Sequence, residues 1–348
     1  MHIDELFQKA VESKSSDLHL VVGMPPILRI NGDLRVVPNY EALTPNILKE
    51  LIYNILTTEE QLRLEKDKEL DISYAPPSSG RFRINLHFEK GNLGVVARFI
   101  PVVIPSLEDV HMPEIVKPLL RLDQGLILVT GPTGCGKTTA LASMIDFINK
   151  DRACHIITLE DPIEFIFSSA KSIIRQRQYG HDMISFGEGL KHALRQDPNV
   201  IMVGEMRDLE TVATTITLAE TGHLVLATLH TNNAEQTINR IIDIFPPYHQ
   251  QQVRLQLSLT LQAVISQRLL PLKDHSGRVA VRELMLNTPA VANLIRENKT
   301  HQIKHIMQTS LGDGMLLMDR GIRDVYQKGL ISKDIAIRYM FSPELLDR

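Results

Sequence analysis

Gly131-Pro-Thr-Gly-Cys-Gly-Lys-Thr138 follows the apolar run Leu126–Val129 and opens into Thr138-Thr139-Ala-Leu-Ala, a stretch of helical character. Glycines at this spacing let successive backbone N–H groups turn inward around phosphate oxygens, and the start of a helix adds its positive end. Lys137 is placed to reach the β- and γ-phosphates, and Thr138 offers a hydroxyl to Mg²⁺. Gly131, Pro132, Thr133, Gly134, Cys135, Gly136, Lys137, Thr138 and Thr139 are therefore the expected nucleotide-binding set, with ATP and Mg²⁺ as its ligands. Cys135, although inside the loop, reads as a small filler without a catalytic task.

Around this loop the chain alternates short apolar runs with helical stretches. Leu126–Val129, Ile156–Leu159, Val200–Val203 and Leu224–Leu229 are strand candidates, which together describe an α/β domain built on a mostly parallel sheet wrapped by helices. Ligands of such sheets bind beyond the carboxyl ends of the strands, and those ends are chemically loaded here. Ile156–Leu159 leads into Glu160-Asp161-Pro162-Ile163-Glu164, so two or three carboxylates gather there and one is available to polarise an attacking water. Val200–Val203 leads into Gly204-Glu205, a carboxylate placed for Mg²⁺ or its water shell. His223 and His230 bracket Leu224–Leu229. Seven residues of strand span about 23 Å, so the two cannot share a metal, and His230 is the one placed to contact a γ-phosphate. No Asn/Thr-Lys-x-Asp guanine signature is present. Arginines to neutralise a transition state must come from outside the loop, with Arg81, Arg83, Arg98 and Arg207 as candidates. From about residue 248 the chain reads as helical, with polar breaks near Lys273–Arg278 and at Gly312–Gly314.

The first hundred residues have a different texture. Ile3, Leu6, Phe7, Ala10 and Val11 recur at helical intervals, and Ile27–Val37 alternates around Asn31-Gly32, a pair suited to a tight hairpin. From Arg81 to His87 the alternation is clean, with Phe82, Ile84, Leu86 and Phe88 on one face and polar side chains on the other. Residues 100–113, IPVVIPSLEDVHMP, carry three prolines and read as an extended linker. The division is thus 1–99, an α+β domain; 100–113, a linker; and 114–348, the P-loop domain with a helical C-terminal region.

At 348 residues the chain has room for two domains with real cores. Lys and Arg total 38 against 41 Asp and Glu, a net charge of −3 spread evenly, which disfavours nucleic acid as a partner. Two cysteines exclude a disulfide framework or a four-cysteine zinc site and fit a reducing compartment. The acidic, amphipathic start is not a signal peptide, and no apolar run approaches the roughly 18 residues that span a bilayer. A soluble, intracellular protein is expected.

Several motifs together resemble the secretion ATPases of the type II/type IV class, and within them the pilus retraction motors. Ile157-Thr-Leu-Glu-Asp-Pro-Ile-Glu-Phe165 is similar to the family's Asp box, Val203-Gly-Glu-Met-Arg-Asp-Leu-Glu-Thr211 to its Walker B region, and Thr221-Gly-His…Thr-Leu-His-Thr231 to its His box. Ser16-Asp-Leu-His-Leu20, Pro25-Pro26…Arg29…Gly32 and Arg81-Phe-Arg-Ile-Asn85 extend the resemblance into the first domain. It implies a PAS-like N-terminal domain, a RecA-like ATPase domain and a homohexameric ring. It also assigns roles: Glu164 would activate water, Glu205 would be the Walker B acid on the Mg²⁺ side, and His230 would belong to the nucleotide site. Arg83 and Arg98 lie where the family's first domain offers arginines to ATP. The implied setting is cytoplasmic, peripheral at the inner face of the membrane through a pilus platform protein, with a paralogous motor ATPase as a further partner.

Three features favour retraction over extension: no long extra N-terminal domain, no four-cysteine metal motif, and Ala290-Val-Ala-Asn-Leu-Ile-Arg-Glu297, which resembles the retraction signature with Ala292 where the family has arginine. Gly314-Met-Leu-Leu-Met-Asp319 departs from a more polar family segment. Accessory retraction, pilus extension or type II secretion, and a non-motor P-loop protein or kinase are the alternatives.

Overall fold

The computed structural model describes residues 2–30, 32–77, 80–100, 103–274 and 277–346, and the chain divides into two compact units, Met1–Val103 and Ile104–Arg348.

The first unit begins with α1 (Ile3–Glu12), which buries Ile3, Leu6, Phe7 and Ala10 as its helical spacing requires. Strands β1 (Asp17–Leu20), β2 (Ile27–Ile30) and β3 (Asp33–Val36) are followed by helices α2 (Pro45–Tyr53) and α3 (Thr58–Asp67). Then come β4 (Glu69–Tyr74), β5 (Arg81–Glu89) and β6 (Asn92–Ile100). The sheet is antiparallel throughout, in the order β3-β2-β1-β6-β5-β4. Ile30 pairs with Asp33, so a two-residue connection closes the β2–β3 hairpin where the sequence suggests it; Asn31 itself lies outside the described residues. On β5 the side chains of Phe82, Ile84 and Leu86 are buried, and Phe82 meets the ring of Phe7 at 4.4 Å. Both helices α2 and α3 start on threonine caps, Thr44 and Thr57, the second completed by Glu60 as a reciprocal capping box.

In the second unit a short α4 (Val116–Leu119) precedes β7 (Gly125–Thr130), α5 (Lys137–Asp151), β8 (His155–Glu160) and β9 (Ile173–Gln178). The chain continues through α6 (Phe186–Ala193), β10 (Val200–Val203), α7 (Leu209–Glu220), β11 (Leu224–Leu229), α8 (Ala234–Asp243) and α9 (Pro247–Thr260). The remainder is β12 (Leu261–Pro271), β13 (Arg278–Leu286), α10 (Pro289–Arg296), α11 (Ile303–Thr309), α12 (Met318–Gln327) and α13 (Lys333–Tyr339). The strand order is β13-β12-β7-β11-β10-β8-β9; all neighbours are parallel except β12 and β13. Alternate residues of each central strand feed two cores. Leu126 and Leu128 face the layer of α6 to α10, while Ile127 and Val129 face α5 and the segment around Leu107, Met112 and Val116. Burial on both faces is what a parallel sheet needs, and it explains why these strands read as unbroken apolar runs.

Two expectations are corrected. The region after residue 248 is not uniformly helical: Leu261–Pro271 and Arg278–Leu286 form a long antiparallel pair that widens the sheet. TLQAVISQRLL carries no period-2 alternation because β12 is covered on both sides, so its pattern does not separate strand from helix. The Lys273–Arg278 break is the hairpin connection, with His275 and Ser276 outside the described residues. Nor is 100–113 an extended linker throughout. Pro101 and Val102 lie outside the described residues, but from Ile104 the chain belongs to the second unit: Ser106 and Asp109 bond reciprocally, and Leu107 and Met112 are buried in its core. Those two apolar side chains outweigh the extending tendency of the prolines. Among the described residues no helix is long and apolar enough to cross a membrane.

Candidate functional site

The loop Gly131–Gly136 leaves the carboxyl end of β7 and turns directly into α5, with Lys137, Thr138 and Thr139 in the first helical turn. The Lys137 ammonium is buried and donates to two carbonyls of its own loop, Gly131 O at 2.8 Å and Pro132 O at 3.2 Å. Burial lowers its pKa, while the negative charges of Glu205 and Glu164 act in the opposite direction. The sequence elements that carry these three residues are far apart, yet their charges meet at one end of the sheet. Cys135 is buried, and desolvation pushes its thiol pKa up.

Glu205 follows β10 by two residues and sits in a polar clamp. Arg207 Nη2 is 2.7 Å from one carboxylate oxygen and His230 Nε2 is 3.1 Å from the other. Burial alone would raise its pKa, but the Arg207 hydrogen bond and the His230 charge outweigh it and hold the carboxyl below its ordinary value. The two loops meet because β10 and β11 are parallel neighbours, with Val203 opposite Ala227. The Thr228 hydroxyl donates to the Gly204 carbonyl, and Met206 N donates to Thr228 O, so the backbone itself sets their spacing. His223 stands apart at the other end of β11, its Nδ1 3.1 Å from the Leu218 carbonyl, as a structural closure of α7.

The acidic run after β8 separates into two environments. Glu160 is 3% exposed; its Oε1 accepts from Thr158 Oγ1 at 2.6 Å and Gln176 Nε2 at 3.0 Å, and burial pushes its pKa up. Gln176 also donates to Phe165 O and accepts from Phe167 N, and Gln178 Oε1 accepts from Ile163 N. Glu160 and the two glutamines of β9 thus pin the turn on both sides of Glu164, which remains half-exposed. Neither glutamine carries a sequence signal, since β9 is an edge strand with a polar, irregular pattern.

Arg83 and Arg98 belong to the first unit, directly opposite each other on β5 and β6. Arg98 Nε is 2.9 Å from Asp17 Oδ1, and Arg81 Nε is 2.5 Å from Ser73 Oγ. A cavity of 380 Å³ opens beside Gly136 and Thr139, lined by His111, Leu269, Arg278 and Leu330 among others.

A profile of the family "Type II/IV secretion system protein" matches residues 104–335. The chain is 43% identical to the type IV pilus retraction ATPase PilT of Pseudomonas aeruginosa over 99% of both chains. It is 40% identical to the type IV pilus ATPase PilU of the same organism, covering 97% of this chain and 88% of that one. The crystal structure of the pilus retraction motor PilT with bound ADP superposes with a TM-score of 0.94 at 44% identity, over 100% of this chain and 99% of the other.

Proposed function

The chain belongs to the type II/IV secretion system protein family, and from that membership we propose that it is a pilus retraction motor, an ATPase whose turnover drives twitching motility. The observation that carries this reading is the correspondence with PilT over 99% of both chains. We read the first unit as the PAS-like domain and the second as the RecA-like ATPase domain of a homohexameric ring docked on a membrane-embedded platform protein.

In this reading the phosphates of ATP replace the Gly131 and Pro132 carbonyls as partners of Lys137, exchanging neutral acceptors for charged ones. The nucleoside enters the cavity beside Thr139. Glu164, held by the Glu160–Gln176 knot, orients the attacking water and accepts its proton. Arg83 and Arg98 are the cations of the first unit assigned to transition-state charge. Thr138 and Glu205 suit Mg²⁺: they supply hard oxygen donors, and Glu205 is kept ionised by Arg207 and His230. Mg²⁺, when bound, neutralises charge on the phosphate oxygens. Among the described residues no cluster of three His, Cys, Asp or Glu side chains could hold a metal alone, so the phosphates would complete its coordination.

A second reading, accessory retraction, rests on the 40% identity with PilU. Deletion of the gene in its host tests both against extension. Excess surface pili with lost surface motility supports retraction, whereas bald cells overturn it; pilus retention with nearly normal motility would favour the accessory role.

A further inference from the structure

Four buried polar side chains behind the P-loop have no part in the proposed chemistry. Gln267, on β12, and Arg282, directly opposite on β13, are 2% and 6% exposed. Gln267 Nε2 donates to the Cys135 carbonyl inside the P-loop at 2.5 Å, and its Oε1 accepts from Arg282 Nε at 2.8 Å. Arg282 Nη1 then donates to the carbonyl of His111 at 2.9 Å. Beside them Ser266 and Thr130 share a hydroxyl contact of 2.8 Å that ties β12 to the end of β7. The Gln267 carbonyl also lies so near Gly131 that a Cβ there would meet it at 2.3 Å.

Two of the links have an unusual feature. His111 adopts a left-handed backbone, φ +52°, within the turn where its own N–H bonds Glu108 O and Met112 N bonds Leu107 O. Non-glycine residues rarely take that conformation, and here it belongs to the turn that presents a carbonyl to Arg282. Arg282 is a buried guanidinium with two neutral acceptors and, among the described residues, no carboxylate partner in ion-pair range. Desolvation brings its pKa down to about 10. Apolar replacement of a buried charge is often neutral or stabilising, so stability alone does not ask for an arginine here. A planar fork that reaches a side-chain amide along one direction and a backbone carbonyl along another does.

We propose that Gln267 and Arg282 are positioning residues that join the P-loop to the segment 104–112, so that nucleotide seated on the loop is sensed at the first residues following the unit boundary. This rests on the reading of Gly131–Thr138 as the nucleotide site. The relay is Cys135 carbonyl, Gln267 amide, Arg282 guanidinium, His111 carbonyl. Phosphate binding redirects the loop's N–H groups, the Cys135 peptide moves with them, and the relay passes that change to the 108–112 turn.

Hydrogen exchange of the full-length protein with and without ADP tests this. In the wild type, saturating ADP is expected to slow exchange of the His111 and Met112 amides by at least about fivefold, the lower end of a typical coupling. In Gln267→Leu/Arg282→Met the ratio should fall to near one at ADP concentrations that calorimetry shows to be saturating. Should that pair not fold, Arg282→Lys keeps the charge but cannot donate along both directions of the fork, and the same loss of response is expected. An undiminished ADP response in either folded variant overturns the relay, as does a wild type that binds ADP without protecting the turn. A wild type that binds no ADP overturns the nucleotide reading as well, which calorimetry reports separately.

Discussion

His230 Nε2 lies 3.1 Å from Glu205 Oε1, although 24 residues and a complete helix separate the two in sequence. Parallel pairing of β10 with β11 puts both at the same sheet edge, and Arg207 takes the second carboxylate oxygen at 2.7 Å. In the proposed mechanism the histidine would then act through the carboxylate as much as by touching phosphate. Glu205→Ala and His230→Ala should each lower steady-state Mg-ATP turnover. In the double variant the loss should fall short of the sum by about 0.5–3 kcal/mol, the range of residues in direct contact. Strictly additive losses would separate the two groups.

Glu164 is the carboxylate assigned to the attacking water. Glu164→Gln keeps the size and hydrogen-bonding capacity of the side chain while removing its basicity, so kcat should fall by about 10²–10⁴-fold, the usual worth of a positioned base. ADP affinity, measured by calorimetry, should stay within a few-fold of the wild type. Turnover near the wild-type level would remove Glu164 from the chemistry.

Glu160, four residues earlier, should behave in the opposite way. Its folded pKa is raised by burial, so the native state binds the proton more tightly than the unfolded chain. Stability then falls as pH rises from the ordinary carboxylate range through the raised pKa, and levels off above it. Glu160→Gln keeps an acceptor for Thr158 and Gln176 but has no charge to bury. Its melting temperature relative to the wild type should therefore climb across that window. A difference that is flat between pH 4.5 and 8 would show that Glu160 is no more protonated in the native state than in the unfolded chain.

The contrast between Glu160 and Glu164 also marks where sequence reading stops. Both stand in one acidic run, and spacing alone leaves open which of them faces water; only the packing of β9 against β8 buries one and spares the other. The four central strands were legible because each is a short apolar run ending at a loaded loop. Leu261–Pro271 was not, since it is covered on both faces and the buried Ser266 and Gln267 interrupt its apolar run. Gln176, Gln178, Gln267 and Arg282 escape for a related reason: a polar side chain becomes informative only once its burial is known.

Gly131 and Gly134 separate the two demands made on the P-loop. Both have positive φ, +143° and +76°, where a side chain costs about 1–3 kcal/mol. At Gly134 nothing lies within 4 Å of an added Cβ, so Gly134→Ala should cost no more than that conformational term. At Gly131 the new atom would meet Gln267 O at 2.3 Å and Cys135 Sγ at 2.6 Å. The thiol can turn aside, but the carbonyl is fixed in a strand paired with β7 on one side and β13 on the other. Relief must come from shifting the loop or opening the sheet, and overpacking of this kind adds about 1–3 kcal/mol. Urea unfolding of the two alanine variants should therefore rank Gly131→Ala well below Gly134→Ala. Equal midpoints would mean that β12 yields, and that its carbonyl does not hold the loop in place.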